Sequence, residues 1–522
     1  MAKFVFVTGG VLSSLGKGIV TSSIAKLLKS SGINANAMKI DVYLNSDAGT
    51  LNPFEHGEVF VTQDGFECDL DVGNYERFLN IFAKREQNLM MGQVYKSVID
   101  KERRGDYLGK TLQMIPHVTN EVKQRIRHAA KVTEADVLVV ELGGTVGDIE
   151  SETVLEAIRQ MRFDGDEVLF VHLALVPTII TGEQKTKPMQ HSVKALLSAG
   201  IQPDLLIARS DKMIPKDIRN KLALFCNVSP ESVFCSPNVE TTYEVPLVLQ
   251  EQKMHEVIAE KLGLKLKNED LAEWKELLSR KPKIEKKIAV VGKYATAKDT
   301  YTSVFEAIKH AALHNGVRVD AVLLDSEKIE AGKQSLEGLD AIIVPGGFGE
   351  RGVEGIIQAI QYARENNVPY LGLCYGLQLA IVEFARNVMG LKDANSTELN
   401  AETKHPVIDF LPEQKAISDK GGTMRLGAYE LKIIKGTKAY GLYQSEKVFK
   451  RFRHRYEINP EFVERFEKAG FVFSGRDPRR EIMKIGELRE HNFFIGTQAH
   501  PEFDSRLEKP EPLFDGLIKA TL

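Results

Sequence analysis

A short turn constrains this chain more than any other stretch. The pentapeptide Gly-Leu-Cys-Tyr-Gly at 372–376 follows an apolar run at 368–371 and precedes a helix-like segment at 377–384. A strand, a tight turn that carries a nucleophile and a helix make a nucleophile elbow, here with Cys374 in place of serine. The flanking glycines suit it, because the turn is strained and other backbone passes close by. The N-terminus of a helix favours the thiolate, so the pattern predicts a nucleophile, with a buried structural thiol as the alternative.

Two further motifs accompany this cysteine. A buried strand predicted at 341–344 runs into the glycine-rich loop 345–349, whose bare backbone N–H groups suit an oxyanion hole. Near the C-terminus, His500 precedes Pro501 and Glu502. Residues two apart on an extended segment point the same way, so Glu502 can fix the orientation of the His500 ring. A surface turn is the alternative for this tripeptide.

In this order and spacing, the cysteine turn, the glycine loop and the His-Pro-Glu tripeptide resemble the glutaminase domain of the class I (triad-type) glutamine amidotransferases. The resemblance implies that Cys374, His500 and Glu502 form a catalytic triad that releases ammonia from glutamine. It also implies that the remaining residues contain a site for an acceptor of that ammonia.

Length and composition limit what the rest of the chain can be. At 522 residues it is too long for one core and predicts two to four domains. It is 43% hydrophobic and 27% charged with a net charge of −3, which is ordinary for a soluble globular protein and gives no nucleic-acid or membrane footprint. The four cysteines show no metal-ligand spacing and fit a reducing compartment. The apolar run at 4–7 is too short for a secretory signal, so we expect a cytoplasmic protein.

The first strand opens into a candidate phosphate loop. Residues 3–7 predict a buried strand, 8–18 form a glycine-rich loop with Lys17, and 19–29 predict a helix. This is the plan of a P-loop, in which backbone N–H groups and a lysine hold phosphates at a helix N-terminus. An ordinary strand-to-helix turn is the alternative.

The spacing of this loop departs from the standard P-loop. Five residues separate Gly10 from Gly16, and Gly18 follows the lysine where Ser or Thr usually supplies a hydroxyl ligand for Mg²⁺. We therefore expect Ser13, Ser14 or carboxylates elsewhere to compensate.

Carboxylates near the next strands are candidate Mg²⁺ ligands. The strand predicted at 136–141 ends in Glu141, the strand at 36–40 carries Lys39, and a polar loop region ends in Asp71. An acid at the carboxyl end of a buried strand beside a P-loop is where a Mg²⁺ ligand belongs. Solvated acids at strand ends are the alternative.

A second loop is rich in cationic and amide side chains. Lys185, Lys187 and Gln190 lie in a turn bounded by Gly and Pro after the strand predicted at 167–176. They can bind a second polyphosphate, or else form a solvated basic loop. With a further strand at 205–208, the repeated strand and helix alternation predicts a parallel, doubly wound sheet with ligands at its carboxyl edge.

The sequence changes character between 261 and 287. A short amphipathic helix predicted at 268–278 carries the only tryptophan, 281–287 is charged and reads as a linker, and 288–292 predicts a new strand. The fold class is therefore α/β with two domains, each a mainly parallel sheet flanked by helices.

Taken together, the motifs resemble the CTP synthase family from residue 4 to about residue 514. The most specific stretches are 7–10 with 13–18, 56–60, 143–150, 185–188 and 421–427. The resemblance implies a P-loop-like ATP/UTP-binding amidoligase (synthetase) domain at 1–266, a linker at 267–286 and a class I glutaminase domain at 287–522. It implies that ATP phosphorylates O4 of UTP and that ammonia then displaces the phosphate to give CTP. Mg²⁺ as cofactor, GTP as activator, CTP as inhibitor and a homotetramer are also implied.

The resemblance assigns site residues one by one. The ATP site comprises Ser14, Leu15, Gly16, Lys17, Gly18, Ile19, Asp71, Pro237, Asn238 and Val239. The UTP and CTP site comprises Ser13, Asp148, Ile149, Glu150, Lys185, Thr186, Lys187, Pro188, Met189, Gln190 and Lys221. The glutamine site comprises Gly347, Tyr375, Gly376, Leu377, Gln378, Glu398 and Arg455. Asp71 and Glu141 hold Mg²⁺, and Lys39 stabilises the transferred phosphate. For GTP we expect Phe348 and Arg351, with a core position for Phe348 as the alternative.

Three departures from the family pattern stand out. Tyr375 follows the nucleophile where Leu is common, Met189 stands where Thr is frequent, and Pro237 with Asn238 replaces Lys and Asp of some members. They concern contacts with ligands and leave the reaction unchanged.

Two rival functions share some of these features. A P-loop amidotransferase that activates a carboxylate explains Lys17 and the triad but does not predict the 185–188 loop. A non-catalytic, nucleotide-sensing assembly protein has no use for an intact triad.

Overall fold

The computed structural model describes residues 2–52, 56–268, 270–293, 298–410, 424–480 and 482–522. Its contacts divide the chain into two compact units, Met1–Leu51 with Cys68–Leu278 and Asn52–Glu67 with Ser279–Leu522. The short segment 52–67, which the sequence-based boundaries leave in the first domain, thus groups with the second unit. The functional domain boundaries at 266 and 287 stay a prediction.

The first unit is built on one parallel sheet. Its seven strands are ordered β5-β2-β6-β1-β7-β8-β9, and every neighbouring pair is parallel. Most strand residues are buried, as expected for a sheet covered on both faces. The strands up to residue 236 are β1 (Lys3–Gly9), β2 (Ala35–Asp41), β3 (Phe60–Val61), β4 (Glu67–Cys68), β5 (Asn88–Met90), β6 (Val137–Leu142), β7 (Val168–Leu175), β8 (Leu205–Arg209) and β9 (Val233–Ser236).

Helices cover this sheet and bury its apolar side chains. In chain order they are α1 (Lys17–Ser30), α2 (Leu70–Leu79), α3 (Met91–Arg103), α4 (Thr119–Val132), α5 (Glu152–Phe163), α6 (Lys187–Ser198), α7 (Lys216–Cys226), α8 (Val245–Glu251), α9 (Met254–Lys261) and α10 (Ala272–Ser279). Trp274 on α10 is fully buried, contacts Phe78, and donates its indole N–H to the Tyr243 carbonyl at 2.8 Å. This part of the expected linker is therefore packed on the first unit.

The second unit combines parallel and antiparallel pairing. Its nine-stranded sheet is ordered β11-β10-β12-β13-β21-β20-β19-β16-β17; the first five strands are parallel and the last four pair antiparallel. The strands are β10 (Ile284–Gly292), β11 (Val317–Asp325), β12 (Ala341–Val344), β13 (Tyr370–Leu373), β14 (Ala394–Ser396), β15 (His405–Phe410), β16 (Arg425–Ile433), β17 (Lys447–His454), β18 (Tyr456–Ile458), β19 (Phe471–Arg476), β20 (Met483–Leu488) and β21 (Phe494–Thr497). The helices are α11 (Thr302–His314), α12 (Ser326–Glu330), α13 (Val353–Glu365), α14 (Tyr375–Asn387), α15 (Lys438–Tyr443), α16 (Val463–Lys468) and α17 (Pro512–Ala520).

Strand β10 begins earlier than the sequence suggested. Residues 284–287, expected to be linker, pair with β11, the edge strand of the sheet. Their charges are tolerated there, because three of the four side chains are exposed.

The segment 56–67 forms a small hairpin of β3 and β4 that lies on β16. Gln63 accepts a hydrogen bond from the Ala428 amide at 2.8 Å. Gly427 has φ +92°, and a Cβ there would lie 2.7 Å from the Gln63 carbonyl oxygen, so only glycine fits. This explains one glycine of the 421–427 motif; residues 421–423 lie outside the described residues. In the described part of the chain, no helix is long and apolar enough to cross a membrane.

Candidate active sites

The turn at 372–376 has the elbow geometry that its sequence predicts. Cys374 has φ +50° and ψ −94° and caps the N-terminus of α14. A Cβ at Gly372 would lie 2.8 Å from the Gly376 carbonyl carbon, and one at Gly376 would lie 2.3 Å from the Val344 oxygen. Both glycines are therefore required by close backbone approach, and the Cys374 amide is fixed by a 2.7 Å bond to the Thr497 carbonyl.

His500 and Glu502 contact each other, although the backbone between them is not extended as expected. Residues Pro501–Asp504 form a 3₁₀ turn, and His500 itself has φ −110° and ψ 74°. The turn still brings His500 Nδ1 to 2.7 Å from Glu502 Oε1. The predicted contact is confirmed and the predicted extended conformation is wrong, because the proline starts a helical turn.

The His500 ring is held on several sides. Its amide donates to the Arg451 carbonyl at 2.8 Å, and a Cβ at Gly346 would lie 2.7 Å from His500 Cε1. Nε2 is buried and makes no hydrogen bond to any described residue. Burial disfavours the imidazolium, but the charges of Glu502 and Cys374 outweigh it and raise the pKa of His500 to about 10. A protonated imidazole beside a cysteine can donate a proton to a leaving group.

Two further residues contact the Cys374 sulfur. Gln498 Nε2 donates to Sγ at 3.4 Å, and Sγ donates to the Arg453 carbonyl at 3.7 Å. Sequence reasoning missed both. Gln498 lies only two residues before His500, but nothing in the local pattern distinguishes it.

The glycine loop after β12 is fixed by side chains from three other segments. Lys293, another residue that the sequence did not reveal, donates to the Phe348 carbonyl at 2.9 Å and to the Gly349 carbonyl. The Tyr375 hydroxyl also donates to Gly349 O, at 2.8 Å, and the Gly349 amide donates to Glu398 at 3.0 Å. Burial lowers the pKa of Lys293 to about 8. Tyr375, the departure from Leu, thus adds a hydrogen bond to the loop.

The other residues predicted for glutamine differ in what they contact. Leu377 is buried in the core, and Gln378 donates to the Tyr456 carbonyl at 2.9 Å. Gly347 faces the Tyr375 ring, because a Cβ there would lie 3.4 Å from its Cδ1. Arg455 interacts electrostatically with Glu398.

Phe348 and Arg351, the residues expected for GTP, lie in unlike surroundings. Phe348 is 61% exposed, so the alternative of a core position is wrong. The Arg351 guanidinium donates to the Lys293 carbonyl at 2.9 Å and lies 3.7 Å from Glu327. It also lines a cavity of about 850 Å³ whose other charged side chains are Glu327, Glu330, Glu350 and Glu354. That acidic lining disfavours a polyphosphate inside the cavity itself.

In the first unit, Lys17 lies across the loop that precedes α1. Gly16 caps the helix with φ +92°, and Lys17 Nζ donates to the Gly144 carbonyl at 2.8 Å. A Cβ at Gly9 would lie 2.7 Å from Lys17 Cδ, so that glycine makes room for the lysine. Burial lowers the Lys17 pKa despite nearby carboxylates. Ser13 and Ser14 are exposed at the loop surface.

The structure explains why residue 18 is a glycine. A Cβ at this position would lie 1.9 Å from Asp71 Oδ1. The Asp71 carboxylate therefore occupies the space that a side chain at position 18 would need. That a carboxylate compensates for the missing hydroxyl as a Mg²⁺ ligand stays a prediction.

Asp71 belongs to a buried cluster around Lys39. Lys39 Nζ lies 2.5 Å from Asp71 Oδ2, 2.9 Å from Glu141 Oε1 and 3.8 Å from Asp69 Oδ1. The contact between Lys39 and Glu141 follows from the strand register, because the two residues are paired across β2 and β6. Burial raises the pKa of Glu141 to about 7. For Asp71 burial acts in the same direction, but the Lys39 charge outweighs it and lowers the pKa.

This donor set fits a magnesium ion that is also held by a nucleotide. No three His, Cys, Asp or Glu side chains in the described ranges are grouped to hold a metal. Mg²⁺ commonly takes one or two carboxylates and completes its shell with phosphate oxygens and water, which matches Asp71 and Glu141 beside a phosphate loop.

The residues predicted for the pyrimidine nucleotide are mostly accessible. Asp148, Ile149 and Glu150 are exposed in the loop after β6, and Ile149 is 81% exposed. Lys221 is also exposed, whereas Met189 is fully buried in the core, which explains why an apolar residue is tolerated there.

In the loop that carries Lys185 and Gln190, side chains form ion pairs and hydrogen bonds with one another. Lys185 pairs with Glu183 at 2.6 Å, and Gln190 donates to the Thr186 hydroxyl at 2.9 Å. Lys187 is exposed and Pro188 half-buried at the start of α6.

The residues predicted to contact adenine follow β9. Among them, Asn238 Oδ1 accepts a hydrogen bond from Arg209 at 2.7 Å. Pro237 and Val239 are half-buried beside it.

Comparisons with known proteins cover both units. Residues 3–264 match the family model described as CTP synthase N-terminus, and residues 296–520 match that of glutamine amidotransferase class-I. A CTP synthase of Caldanaerobacter subterraneus subsp. tengcongensis is 52% identical over 529 residues, which cover 100% of this chain and 98% of the relative. A CTP synthase of Pyrococcus abyssi is 53% identical with the same coverage. A solved glutaminase domain of Trypanosoma brucei CTPS with bound acivicin is 39% identical, with a TM-score of 0.43, over 45% of this chain and 93% of that one.

Proposed function

The chain belongs to the CTP synthase family, and from this premise we propose how its residues divide the amination of UTP to CTP. The enzyme uses ATP and glutamine as co-substrates. We assign glutamine hydrolysis to the second unit and phosphoryl transfer with amination to the first.

Glutamine hydrolysis uses Cys374, His500 and Glu502. Cys374 attacks the side-chain amide carbon of glutamine, and His500 Nε2 carries the proton to the departing ammonia. Water then cleaves the thioester to release glutamate and restore the thiol. The observation that supports this best is the 2.7 Å contact of His500 Nδ1 with Glu502, which leaves Nε2 for proton transfer. The Gly347 region stabilises the oxyanion.

Amination starts with transfer of the ATP γ-phosphoryl group to O4 of UTP. This turns a poor leaving group into a good one, so that ammonia can displace phosphate at C4. Lys17 and Lys39 stabilise the negative charge of the transferred group. Mg²⁺, held by Asp71 and Glu141, supplies further charge neutralisation when bound.

Substrate and product share one pyrimidine site. UTP and CTP have the same ribose and triphosphate, so the loop 148–150, the 185–190 stretch and Lys221 bind both, and CTP inhibits by competition. GTP activates by stacking its base on Phe348. Arg351 then leaves its contact with Glu327 and binds a phosphate of GTP instead. A homotetramer and a cytoplasmic location complete the proposal.

One assay tests the division of labour. The enzyme is incubated with ATP, UTP and Mg²⁺, with glutamine or ammonia as nitrogen source, and CTP is followed by absorbance. Formation of CTP from both sources supports the proposal. UTP must also raise the melting temperature, since a substrate that binds only the folded state stabilises it; a carboxylate-activating rival predicts no such shift.

A further inference from the structure

One strand contacts both the nucleophile and the base of the proposed triad. β17 is the last strand of the nine-stranded sheet. The Arg451 carbonyl accepts from the His500 amide at 2.8 Å, and the Arg453 carbonyl accepts from Cys374 Sγ at 3.7 Å. Residues two apart on a strand present their carbonyls in the same direction, so a single shift of β17 displaces both catalytic groups.

The side chains of the same two arginines bind the hairpin formed by residues 56–67. Arg451 donates to the Val61 carbonyl at 2.9 Å, and Arg453 Nε donates to Glu67 Oε1 at 2.7 Å. Phe60 of the hairpin also packs edge-on against Phe503, which stacks on the His500 ring. The hairpin thus contacts β17 through the side chains of Arg451 and Arg453, in addition to its backbone bond to β16.

The two arginines are not equivalent. Arg451 is fully buried and also bonds to the Phe503 carbonyl and to Asp504, so its loss disrupts the fold. The Arg453 side chain is 25% exposed and that of Glu67 is 10% exposed. Glu67 is nearly buried and Arg453 partly exposed, so this pair is changed by Glu67→Gln, which keeps the size and hydrogen-bonding capacity of the side chain and is milder than the loss of Arg451.

We propose that Glu67 is a positioning residue for glutamine hydrolysis: through its ion pair with Arg453 it fixes the β17 carbonyl that contacts the Cys374 sulfur. This inference rests on the proposed triad. The Arg453 carbonyl accepts a hydrogen bond only from the thiol, whereas the Gln498 amide donates to sulfur in either form. The position of this carbonyl therefore sets how readily Cys374 gives its proton to His500.

The test compares Glu67→Gln with a matched control in the full-length enzyme. The variant keeps the shape of the side chain and removes its charge. The control is Glu430→Gln, which removes an ion pair with Lys447 at 2.8 Å on the same pair of strands, β16 and β17. Three quantities are measured: glutamine hydrolysis, ammonia-driven CTP formation, and alkylation of Cys374 by iodoacetamide as a function of pH, located by peptide mass.

For Glu67→Gln we expect glutamine turnover to fall by about tenfold, because small displacements of reacting groups have effects of this size. The pH profile of Cys374 alkylation shifts, which a merely structural role would not cause. Ammonia-driven synthesis stays within about twofold of the parent, and Glu430→Gln behaves as the parent in all three measurements. Combining Glu67→Gln with Arg453→Gln costs no more activity than the stronger single change, since both break one contact.

Unchanged turnover and an unchanged alkylation profile in Glu67→Gln overturn the proposal, as does an equal loss in Glu430→Gln. If Glu67→Gln unfolds the protein, Arg453→Lys decides by the same two measurements, because it keeps a cation and loses the Nε donor. Cys374→Ser separates this inference from the proposed function. If glutamine hydrolysis survives in Cys374→Ser, the proposed triad is wrong. If hydrolysis is lost in Cys374→Ser but Glu67→Gln keeps full activity, only the positioning role of Glu67 is wrong.

Discussion

The two units hold their central lysines in opposite ways. Lys39 of the first unit lies among carboxylates, whose charges outweigh burial and raise its pKa well above the ordinary value. Lys293 of the second unit contacts carbonyl groups and the Tyr375 ring, and burial lowers its pKa to about 8. A lysine among acids keeps its positive charge, as the proposed role of Lys39 in phosphoryl transfer requires. A lysine among carbonyls is a hydrogen-bond donor that fixes a loop, so the two sites should respond differently to substitution.

The largest effect is expected from Cys374→Ala. Glutamine-dependent CTP formation should fall by about 10³-fold or more, because the nucleophile is lost. Ammonia-dependent formation should stay near the parent rate, since the first unit has its own residues. Parallel assays with both nitrogen sources check this; loss of both activities in a folded variant would refute the separation of sites.

Lys17→Ala should affect both nitrogen sources. In the proposed reaction phosphoryl transfer precedes amination in either case, and we expect removal of a cation from the transferred phosphate to lower the rate by about 10²- to 10³-fold. The measurement is initial CTP formation with ammonia and with glutamine. Wild-type synthesis from ammonia would show that Lys17 is only structural, and Lys194→Ala, exposed on α6, is a control for the charge change.

Gly18→Ser tests why this loop departs from the standard P-loop. The substitution restores the usual residue type, but its Cβ would meet Asp71 Oδ1 at 1.9 Å and displace the carboxylate. We expect a fall of about 10- to 100-fold in Mg²⁺ affinity, read from the Mg²⁺ dependence of ammonia-driven synthesis. Gly441→Ser, at a glycine of α15 with open space around it and no positive φ, controls for the loss of a glycine. An unchanged Mg²⁺ dependence would mean that Asp71 is no ligand.

Local steric demands made parts of both sites predictable from sequence. The elbow at 372–376 and the loop before α1 need glycine at fixed spacings, so their geometry leaves a pattern in adjacent residues. The His500–Glu502 contact was found for a similar reason, although the 3₁₀ turn replaces the expected strand. The parallel sheet of the first unit followed from its buried apolar runs.

Long-range contacts left no comparable signal. Lys293 reaches a loop 55 residues away, and Glu67 pairs with Arg453 across 386 residues. Residues 284–287, expected to be linker, form the start of β10, because charged side chains suit the exposed end of a strand as readily as a flexible segment. The collision that excludes a side chain at Gly18 depends on where α2 places Asp71, which no local pattern encodes.

Tyr375→Phe sharpens the comparison within the second unit. It removes only the hydroxyl that donates to Gly349, so the glycine loop 345–349, which we propose to stabilise the oxyanion, is less well fixed. We expect a fall of about five- to tenfold in glutamine turnover and no change with ammonia, because the first unit is untouched. Tyr429→Phe, on an exposed position of β16, is the control for removal of a hydroxyl. Equal turnover of Tyr375→Phe and parent would leave Lys293 as the important contact.

The smallest effect concerns stability and pH. Unfolding returns Lys293 from a pKa of about 8 to its ordinary value of 10.5. Between these values the unfolded chain binds a proton that the folded chain lacks, so Lys293 makes the free energy of unfolding rise with pH. One proton sets an upper limit of about 1.4 kcal/mol per pH unit. Lys293→Met should therefore lose this rise, seen as a flatter pH dependence of the denaturant midpoint from pH 8 to 10.5. Lys286→Met, which removes a half-buried lysine of β10 paired with Asp340 at 3.0 Å, is the control and should keep the slope of the parent. Identical slopes in the parent and Lys293→Met would place Lys293 in the same class as Lys39, and the contrast between the two units would fail.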